Sequence, residues 1–417
     1  MPAFAGLRPR RRPPLRAILA RALAPVLAIS LVLGQSAALA HRAAAQTQHA
    51  SQLGIEPQIK SPQAILIDAD TNAVLFQRDA DRLVPPASMS KLMVLIMLFM
   101  ALRSGEITLA TEFVMSEHAW RTGGAPSHTA AMFVPLGKTA TVEELIKGII
   151  VQSANDAAIS VAENLGGNES LFAETMTIEA RRLGLQRSVF KNATGLYHPE
   201  HLMTVREIAM LARHIIKEYP EYYPWFAQRE FPYRVHKFYN RNPLLGHVDG
   251  VDGLKTGYIK EGGYGIAVSA KQGNRRLILV ISGAETAEER KDDARRGLEW
   301  GFKNFSETKL YEPGETVGYA RVWGGERMFM PLVGGGDGVS TVLPLVPANP
   351  KISAEIFYKG PLKPPLKKGD QVATLRVRTI HDATADVPLY AAQDVDRAGF
   401  IWRGVDSLLY LATGWIH

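Results

Sequence analysis

Three short groups of residues carry the chemistry open to this chain. The first is Ser88 and Lys91 in "PPASMSKLM", followed by the almost wholly apolar run LMVLIMLFMAL. At positions i and i+3 of a helix, a hydroxyl and an amine share a face and can meet. A serine hydroxyl is a weak nucleophile near neutral pH and needs a base beside it. A lysine among apolar residues loses proton affinity because desolvation disfavours the ammonium form. The neutral amine can then take the serine proton. The second group is Ser153 and Asn155 in "VQSAND", in or just before a helical stretch. The third is Lys255, Thr256 and Gly257 in "GLKTGY", at the start of an expected strand. Lys255 would act as a second cation that lowers Lys91 further, and it would attract a substrate carboxylate to which Thr256 donates a hydrogen bond. Gly257 leaves room for a substrate backbone along the strand edge. Ser153 would pass a proton to a leaving amine, and Asn155 would hold a substrate amide. Each group alone has a plainer reading as a chance pair, a helix surface or a turn. Their joint occurrence in this order carries the signal.

Secondary elements must bring these groups together. "AILIDADTNAVLFQRDAD" reads as two strands around a turn, stopped by Pro85 and Pro86. Residues 88–103 predict a helix that is apolar on nearly every face and therefore buried all round. In "TATVEELIKGIIVQSANDAAISVAENLGG", Thr141 and Glu144 form a capping box. "TVREIAMLARHIIKEYP" predicts an amphipathic helix capped at Thr204. "GYGIAVSAKQGNRRLILVISGAE" predicts a hairpin turning at Gln272-Gly273-Asn274, and "ERKDDARRGLEWGFKNF" a closing helix. The pattern is that of an α/β (α+β) domain over 58–305, with helices against a largely antiparallel sheet. Short alternating stretches separated by turns then predict a small all-β domain over 306–395. Its "GGGDG" at 334–338 lacks the Lys-Ser/Thr of a phosphate loop and reads as a hairpin turn. In 396–417, Ile401, Val405, Leu408, Leu409, Ala412, Trp415 and Ile416 share one helical face, with Arg403, Asp406 and Thr413 elsewhere. Such a helix either docks on the β domain or lies in a membrane interface. Its position and two tryptophans favour the membrane.

Composition sets the setting. The chain has 417 residues, 46% hydrophobic and 21% charged, which is globular. Seven of its 48 lysines and arginines are arginines within residues 1–45, which contain no acid. The remaining 41 balance the 41 acidic residues. The net charge of +7 thus gives no ground for a nucleic-acid partner. The arginine-rich start, the apolar ALAPVLAISLVLG and small residues before cleavage at Ala40 or Ala45 predict a signal peptide over 1–45. A polar linker follows over 46–57. Export places the protein on the periplasmic side of the cytoplasmic membrane. The absence of cysteine excludes thiol chemistry and disulfides. There is no HExxH, and Pro199 between His198 and His201 makes their segment a turn rather than a ligand-bearing helix. No metal or cofactor is expected.

Ser-x-x-Lys, Ser-x-Asn and Lys-Thr-Gly together resemble the motifs of the penicillin-binding proteins and serine β-lactamases. The text around them, including "ELIKGIIVQSANDAAISVAE", "NATGLYHPEHLMTVREIAMLA", "YNRNPLL" and "VDGLKTGYIKEGGYGIAVSA", is similar to the low-molecular-mass D-alanyl-D-alanine carboxypeptidases. The resemblance spans about residues 58–305 and implies their transpeptidase-like fold. It implies acyl transfer through Ser88 with Lys91 as base, and an oxyanion hole from the N–H groups of Ser88 and Tyr258. Ser153 and Asn155 would complete the site, with Lys255, Thr256 and Gly257 at the substrate. Arg290, in "EERKDDARR", matches an arginine that organises the carboxylate end. The implied substrate is a peptidoglycan stem peptide ending in D-Ala-D-Ala, and β-lactam antibiotics would acylate the same serine. Many relatives have His-Thr after Lys-Thr-Gly, where this chain has Tyr258-Ile259. Alternatives are a D,D-endopeptidase on cross-links, a non-catalytic penicillin-binding scaffold and a serine β-lactamase. The last would need a glutamate in an E-x-x-L-N segment, which is missing between 156 and 254.

Overall fold

Alternating apolar residues lay down a sheet that is buried on both faces. In a computed structural model, which describes residues 56–345, 352–379 and 384–413, the expected signal peptide and the linker to residue 55 lie outside the described residues. Strand β1 (Gln63–Asp68) pairs antiparallel with β2 (Val74–Arg78). Asp68 closes the turn between them by accepting from the N–H groups of Asp70 and Thr71 at 3.1 and 2.9 Å. Helix α1 (Lys91–Ser104) follows a tight 3-10 turn over Ala87–Ser90. The expected helix therefore starts three residues late, and Ser88 stands on the tight turn. Every residue from Lys91 to Ile96 is buried, with Leu98 and Phe99, as an all-round apolar helix requires.

The next elements are β3 (Glu112–Val114), α2 (Glu117–Gly123), β4 (Thr139–Thr141) and α3 (Val142–Lys147). The capping box at α3 forms as expected, with Thr141 N–H donating to the Glu144 carboxylate at 2.8 Å. Beyond α3 the chain widens into a π turn over Gly148–Gln152 and breaks at Ser153, whose φ of 62° is left-handed. Helix α4 (Asn155–Gly166) starts afresh two residues later. This break sets Ser153 and Asn155 at a helix start instead of within one continuous helix. Helices α5 (Glu169–Arg182) and α6 (Val205–Glu218) complete the layer.

A small hairpin, β5 (Glu230–Tyr233) with β6 (His236–Tyr239), leads into β7 (Val251–Ile259), β8 (Gly263–Gln272) and β9 (Arg275–Ala284), followed by α7 (Ala287–Asn304). The strands lie in the order β2-β1-β9-β8-β7, all antiparallel. Side chains alternate across a strand. Ile65 and Ile67 thus join the core that holds α1 and α6, while Ala64 and Leu66 join Ala294 and Leu298 of α7 on the other face. Strand β7 is the end of this sheet and offers its free edge to the helical layer's loops.

The remaining strands are β10 (Phe305–Tyr311), β11 (Thr316–Arg321), β12 (Phe329–Val333), β13 (Val339–Pro344), β14 (Ile352–Phe357), β15 (Gln371–Thr379) and β16 (Thr384–Ala391). They enclose a core of their own around Met330, Leu332, Leu375 and Leu389. The glycine-rich turn at 334–338 does not join a hairpin. Gly335 and Gly338 bridge each other, but β12 pairs with β11 and β16 while β13 pairs with β10. The turn passes the chain from one sheet to another.

Helix α8 (Phe400–Thr413) ends the described chain; Trp415 and Ile416 of the expected apolar face lie outside it. Asp406, expected away from the packed side, is buried against the β strands. It accepts from Gly324 N–H at 2.6 Å and pairs with the Arg321 guanidinium. Phe400, Ile401 and Trp402 are 90, 79 and 72% exposed. The helix start is tethered by its polar side, because Arg321 needs a counter-charge.

Gly123 marks how tightly the site is framed. A Cβ there would lie 2.5 Å from the Asp156 backbone nitrogen, at the first turn of α4. Gly123→Ala is expected to destabilise the protein by about 1–3 kcal/mol, the range for overpacking. A urea melt with an unmoved midpoint would show that α2 and α4 do not meet so closely.

Candidate active site

The Lys91 amine is the centre of the site. It is fully buried and donates to Ser88 Oγ at 2.8 Å, Asn155 Oδ1 at 2.7 Å and the Thr194 carbonyl at 2.5 Å. Two of these acceptors, the amide oxygen and the carbonyl, can only accept. A neutral amine has two N–H bonds and one lone pair, so these two take both N–H bonds. The lone pair then faces Ser88, whose hydroxyl alone can switch to donor. Once the amine is neutral, this arrangement leaves its lone pair for the serine proton, so that lysine is a base towards serine.

Each acceptor is itself held. Asn155 donates from Nδ2 to Thr129 Oγ1 at 2.9 Å, which fixes its oxygen towards Lys91, and its backbone N–H donates to Ala130 O at 2.7 Å. The Thr129 loop is pinned by Asp156, which accepts from the N–H groups of Met132 and Phe133 at 2.9 Å each. Thr194 sits in a turn closed by Asn192, whose Oδ1 accepts from Thr194 N–H at 3.1 Å and Gly195 N–H at 2.7 Å. Gly195 has φ 77°, and a Cβ there would lie 2.0 Å from Ala87 O. Only glycine lets this loop approach the turn that carries Ser88.

Burial is the main cause that brings Lys91 down to about 7, with the Arg241 guanidinium adding to it and Glu169 and Asp156 opposing. The second cation is thus Arg241, where the sequence pointed to Lys255. Lys255 is buried too, and its amine donates to the Thr256 carbonyl at 3.0 Å. Its own proton affinity is lowered, first by burial and then by Lys91, Arg241 and Arg290. The repulsion between the two lysines falls on Lys255. Because the unfolded chain keeps an ordinary lysine, Lys91 disfavours folding fully below about pH 7. The penalty fades as pH rises from there towards 10.5.

Above these lysines lies a cavity of about 400 Å³ lined by Ser88, Ser153, Asn155, Arg241, Thr256, Gly257, Tyr258 and Arg290, with Thr129, Leu196 and Tyr264 among the others. The chain thereby brings together all nine residues singled out in the sequence. Seven line the cavity, Lys91 sits directly beneath Ser88, and Lys255 lies below Thr256. A Cβ on Gly257 would be 3.2 Å from Ser88 N, so the strand edge and the serine turn face each other at backbone distance. Asn155 is committed to Lys91 and Thr129, which leaves one Nδ2 proton for the amide role expected of it. Sequence reasoning missed Arg241, Thr129 and the Thr194 carbonyl. Arg241 was visible in "YNRNPLL"; a backbone carbonyl has no side-chain signature.

Residues 46–286 match the peptidase S11 family, D-alanyl-D-alanine carboxypeptidase, and residues 305–397 match the C-terminal domain of penicillin-binding protein 5. The chain belongs to the D-alanyl-D-alanine carboxypeptidase family. It is 32% identical over 347 residues to the D-alanyl-D-alanine carboxypeptidase DacF of Bacillus subtilis, covering 81% of this chain and 86% of that one. Penicillin binding protein 5 from Haemophilus influenzae superposes with a TM-score of 0.69 at 30% identity, covering 82% and 99% of the two chains. Penicillin-binding protein D2 from Listeria monocytogenes, in its ampicillin-bound form, gives 0.51 at 27% identity over 59% and 98%. The family fold, a mixed helix-and-sheet domain followed by a small all-β domain, is the one the sequence led us to expect.

Lys91 is expected to lose its proton around pH 7, read as the shift of its ¹³C-labelled ε-carbon and assigned by loss of the signal in Lys91→Arg. Arg241→Gln removes a repelling cation and moves the midpoint upward. A midpoint near 10, or one that Arg241→Gln leaves in place or lowers, would contradict the electrostatic account.

Proposed function

We propose that this family member is a serine-type D-Ala-D-Ala carboxypeptidase acting on peptidoglycan stem pentapeptides. The observation that carries the reading is the 2.8 Å hydrogen bond between Lys91 Nζ and Ser88 Oγ at the floor of a cavity walled by Thr256 and Gly257. Ser88 Oγ attacks the carbonyl of the penultimate D-alanine while Lys91 takes its proton. The N–H groups of Ser88 and Tyr258 receive the oxyanion. The C–N bond breaks as a proton reaches the leaving amine through Ser153, and D-alanine departs. A water molecule then attacks the ester, Lys91 taking its proton, and Ser88 Oγ is reprotonated as the tetrapeptide leaves. Thr256, with the positive field of Lys255 and Arg290, holds the terminal carboxylate. A β-lactam acylates Ser88 in the same way, but its leaving amine stays tethered in the product and obstructs the water.

The protein acts outside the cytoplasm, on the periplasmic side of the cytoplasmic membrane. The arginine-rich, then apolar, start of the sequence supports export. Exposed Phe400, Ile401 and Trp402 at the start of α8 support peripheral membrane attachment.

With a peptide ending in D-Ala-D-Ala, the full chain is expected to release D-alanine, and Ser88→Ala and Lys91→Arg each to lower the rate by at least about 10³-fold. Release that survives in Ser88→Ala would sink the acyl-enzyme. Wild-type inactivity towards this peptide, together with cleavage of cross-linked dimer, would instead favour an endopeptidase. For the membrane, Ile401→Glu with Trp402→Glu is expected to abolish sedimentation with anionic phospholipid vesicles and to leave D-alanine release intact. Undiminished sedimentation of the double variant would remove α8 as the anchor.

A further inference from the structure

The wall of the cavity carries a feature that acylation does not use. Tyr258 contributes its backbone N–H to the proposed oxyanion hole, but its side chain is 54% exposed at the cavity mouth. The ring does not hang free. It stacks on Tyr264, its direct partner across the β7–β8 ladder, with ring centroids 4.2 Å apart and planes 29° from parallel. The Arg290 guanidinium carbon lies 5.6 Å from the Tyr264 centroid. Two rings and a guanidinium therefore form one continuous stack, in which each member restrains the next.

The stack has a defined place. Residues two apart on a strand share a face, so the Tyr258 ring stands beside Thr256, and both line the cavity with Arg290. Arg290 Nε is buried and has no hydrogen-bond partner among the described residues. Thr256 and Arg290 are the groups proposed above for the terminal carboxylate. The ring consequently borders the space beside Thr256 and Arg290, where the departing amino acid is proposed to sit. A leaving group that ends at its carboxylate fits inside this border. One whose amine belongs to a longer peptide must continue through the volume of the ring or displace it from the stack.

We infer that the Tyr258 ring is the specificity-determining wall of the leaving-group subsite, admitting a single amino acid with a free carboxylate and excluding a leaving group that carries further peptide. The inference rests on the acyl-transfer reading of the site. It assigns to the side chain at the position where many relatives have histidine the choice between trimming stem peptides and cutting cross-links.

The test uses the full chain and two substrates with the same acyl part. One is a stem pentapeptide, whose leaving group is D-alanine. The other is a cross-linked dimer, whose leaving amine belongs to a second stem peptide. The quantity read is the ratio of kcat/KM for dimer to that for pentapeptide. Tyr258→Ala is expected to raise this ratio about tenfold or more, and Tyr258→Phe, which keeps the ring, to leave it near the wild-type value. Should the alanine variant lose both activities, Tyr258→Thr, which suits a strand but lacks the ring, supplies the same ratio. An unchanged ratio in the ring-less variants overturns the inference even if both rates fall. So does a rise in Tyr258→Phe as large as in Tyr258→Ala. A wild type that cuts dimer as readily as pentapeptide overturns it while leaving the acyl-enzyme standing. A wild type inactive on both overturns the acyl-transfer reading and this inference with it.

Discussion

The burial of one amine organises this protein. Bringing Lys91 from 10.5 to about 7 amounts to on the order of 5 kcal/mol of differential interaction between its charged and neutral forms. That preference needs a dry neighbourhood, which explains why α1 is apolar on every side and runs through the middle of the helical layer. It also needs acceptors, since an unpartnered buried amine is costly in either form. The acceptors come from three separate parts of the chain: the tight turn at Ser88, the start of α4 and the loop at Thr194. The fold of the helical layer is in this sense a holder for three oxygen atoms around one nitrogen.

Holding them bends the backbone where side chains resist it. Ala87, Phe133 and Ser153 have φ of 48°, 63° and 62°, in a region that non-glycine residues seldom adopt. Ala87 precedes the nucleophile, Ser153 lines the cavity, and Phe133 lies in the loop that carries Thr129. Strain of about 1–3 kcal/mol at such residues persists only where surroundings over-determine it. Here the determinants are visible. Asp156 clamps the N–H groups around Phe133, the π turn before Ser153 has no room to relax in the core, and Gly195 and Gly257 both close on the Ala87 turn.

The sequence made the chemistry more legible than its support. Ser88, Lys91 and Lys-Thr-Gly were found because hydroxyl, amine and small residue are chemical types with a readable spacing. The strands of the sheet and helices α1, α3 and α6 were readable from alternation, apolar runs and capping residues. The break between α3 and α4 was not, because "GIIVQSAND" continues a helical pattern and only tertiary contacts to the Thr129 loop end it. The role of Arg241 was hidden for a related reason: its effect on Lys91 depends on a distance that no local pattern encodes. Asp406 shows the same limit at the surface. A helical wheel places it off the apolar face, whereas the partner that decides its environment, Arg321, lies 85 positions earlier.

Arg241 and Arg290 lower the proton affinity of Lys255, Arg241 also lowers that of Lys91, and burial lowers all four groups. Buried cations held close together are unfavourable in isolation. It becomes favourable when an anion enters, since attraction in a low-dielectric cavity is stronger than in water. One of these cations, Arg241, also depresses Lys91 directly. An arriving carboxylate therefore does two things. It relieves the repulsion that Arg241 and Arg290 exert on Lys255, and by partly neutralising the field of Arg241 it raises the basicity of Lys91 at the moment the substrate carbonyl reaches Ser88. Substrate recognition and activation of the base are coupled through charge, without any moving part.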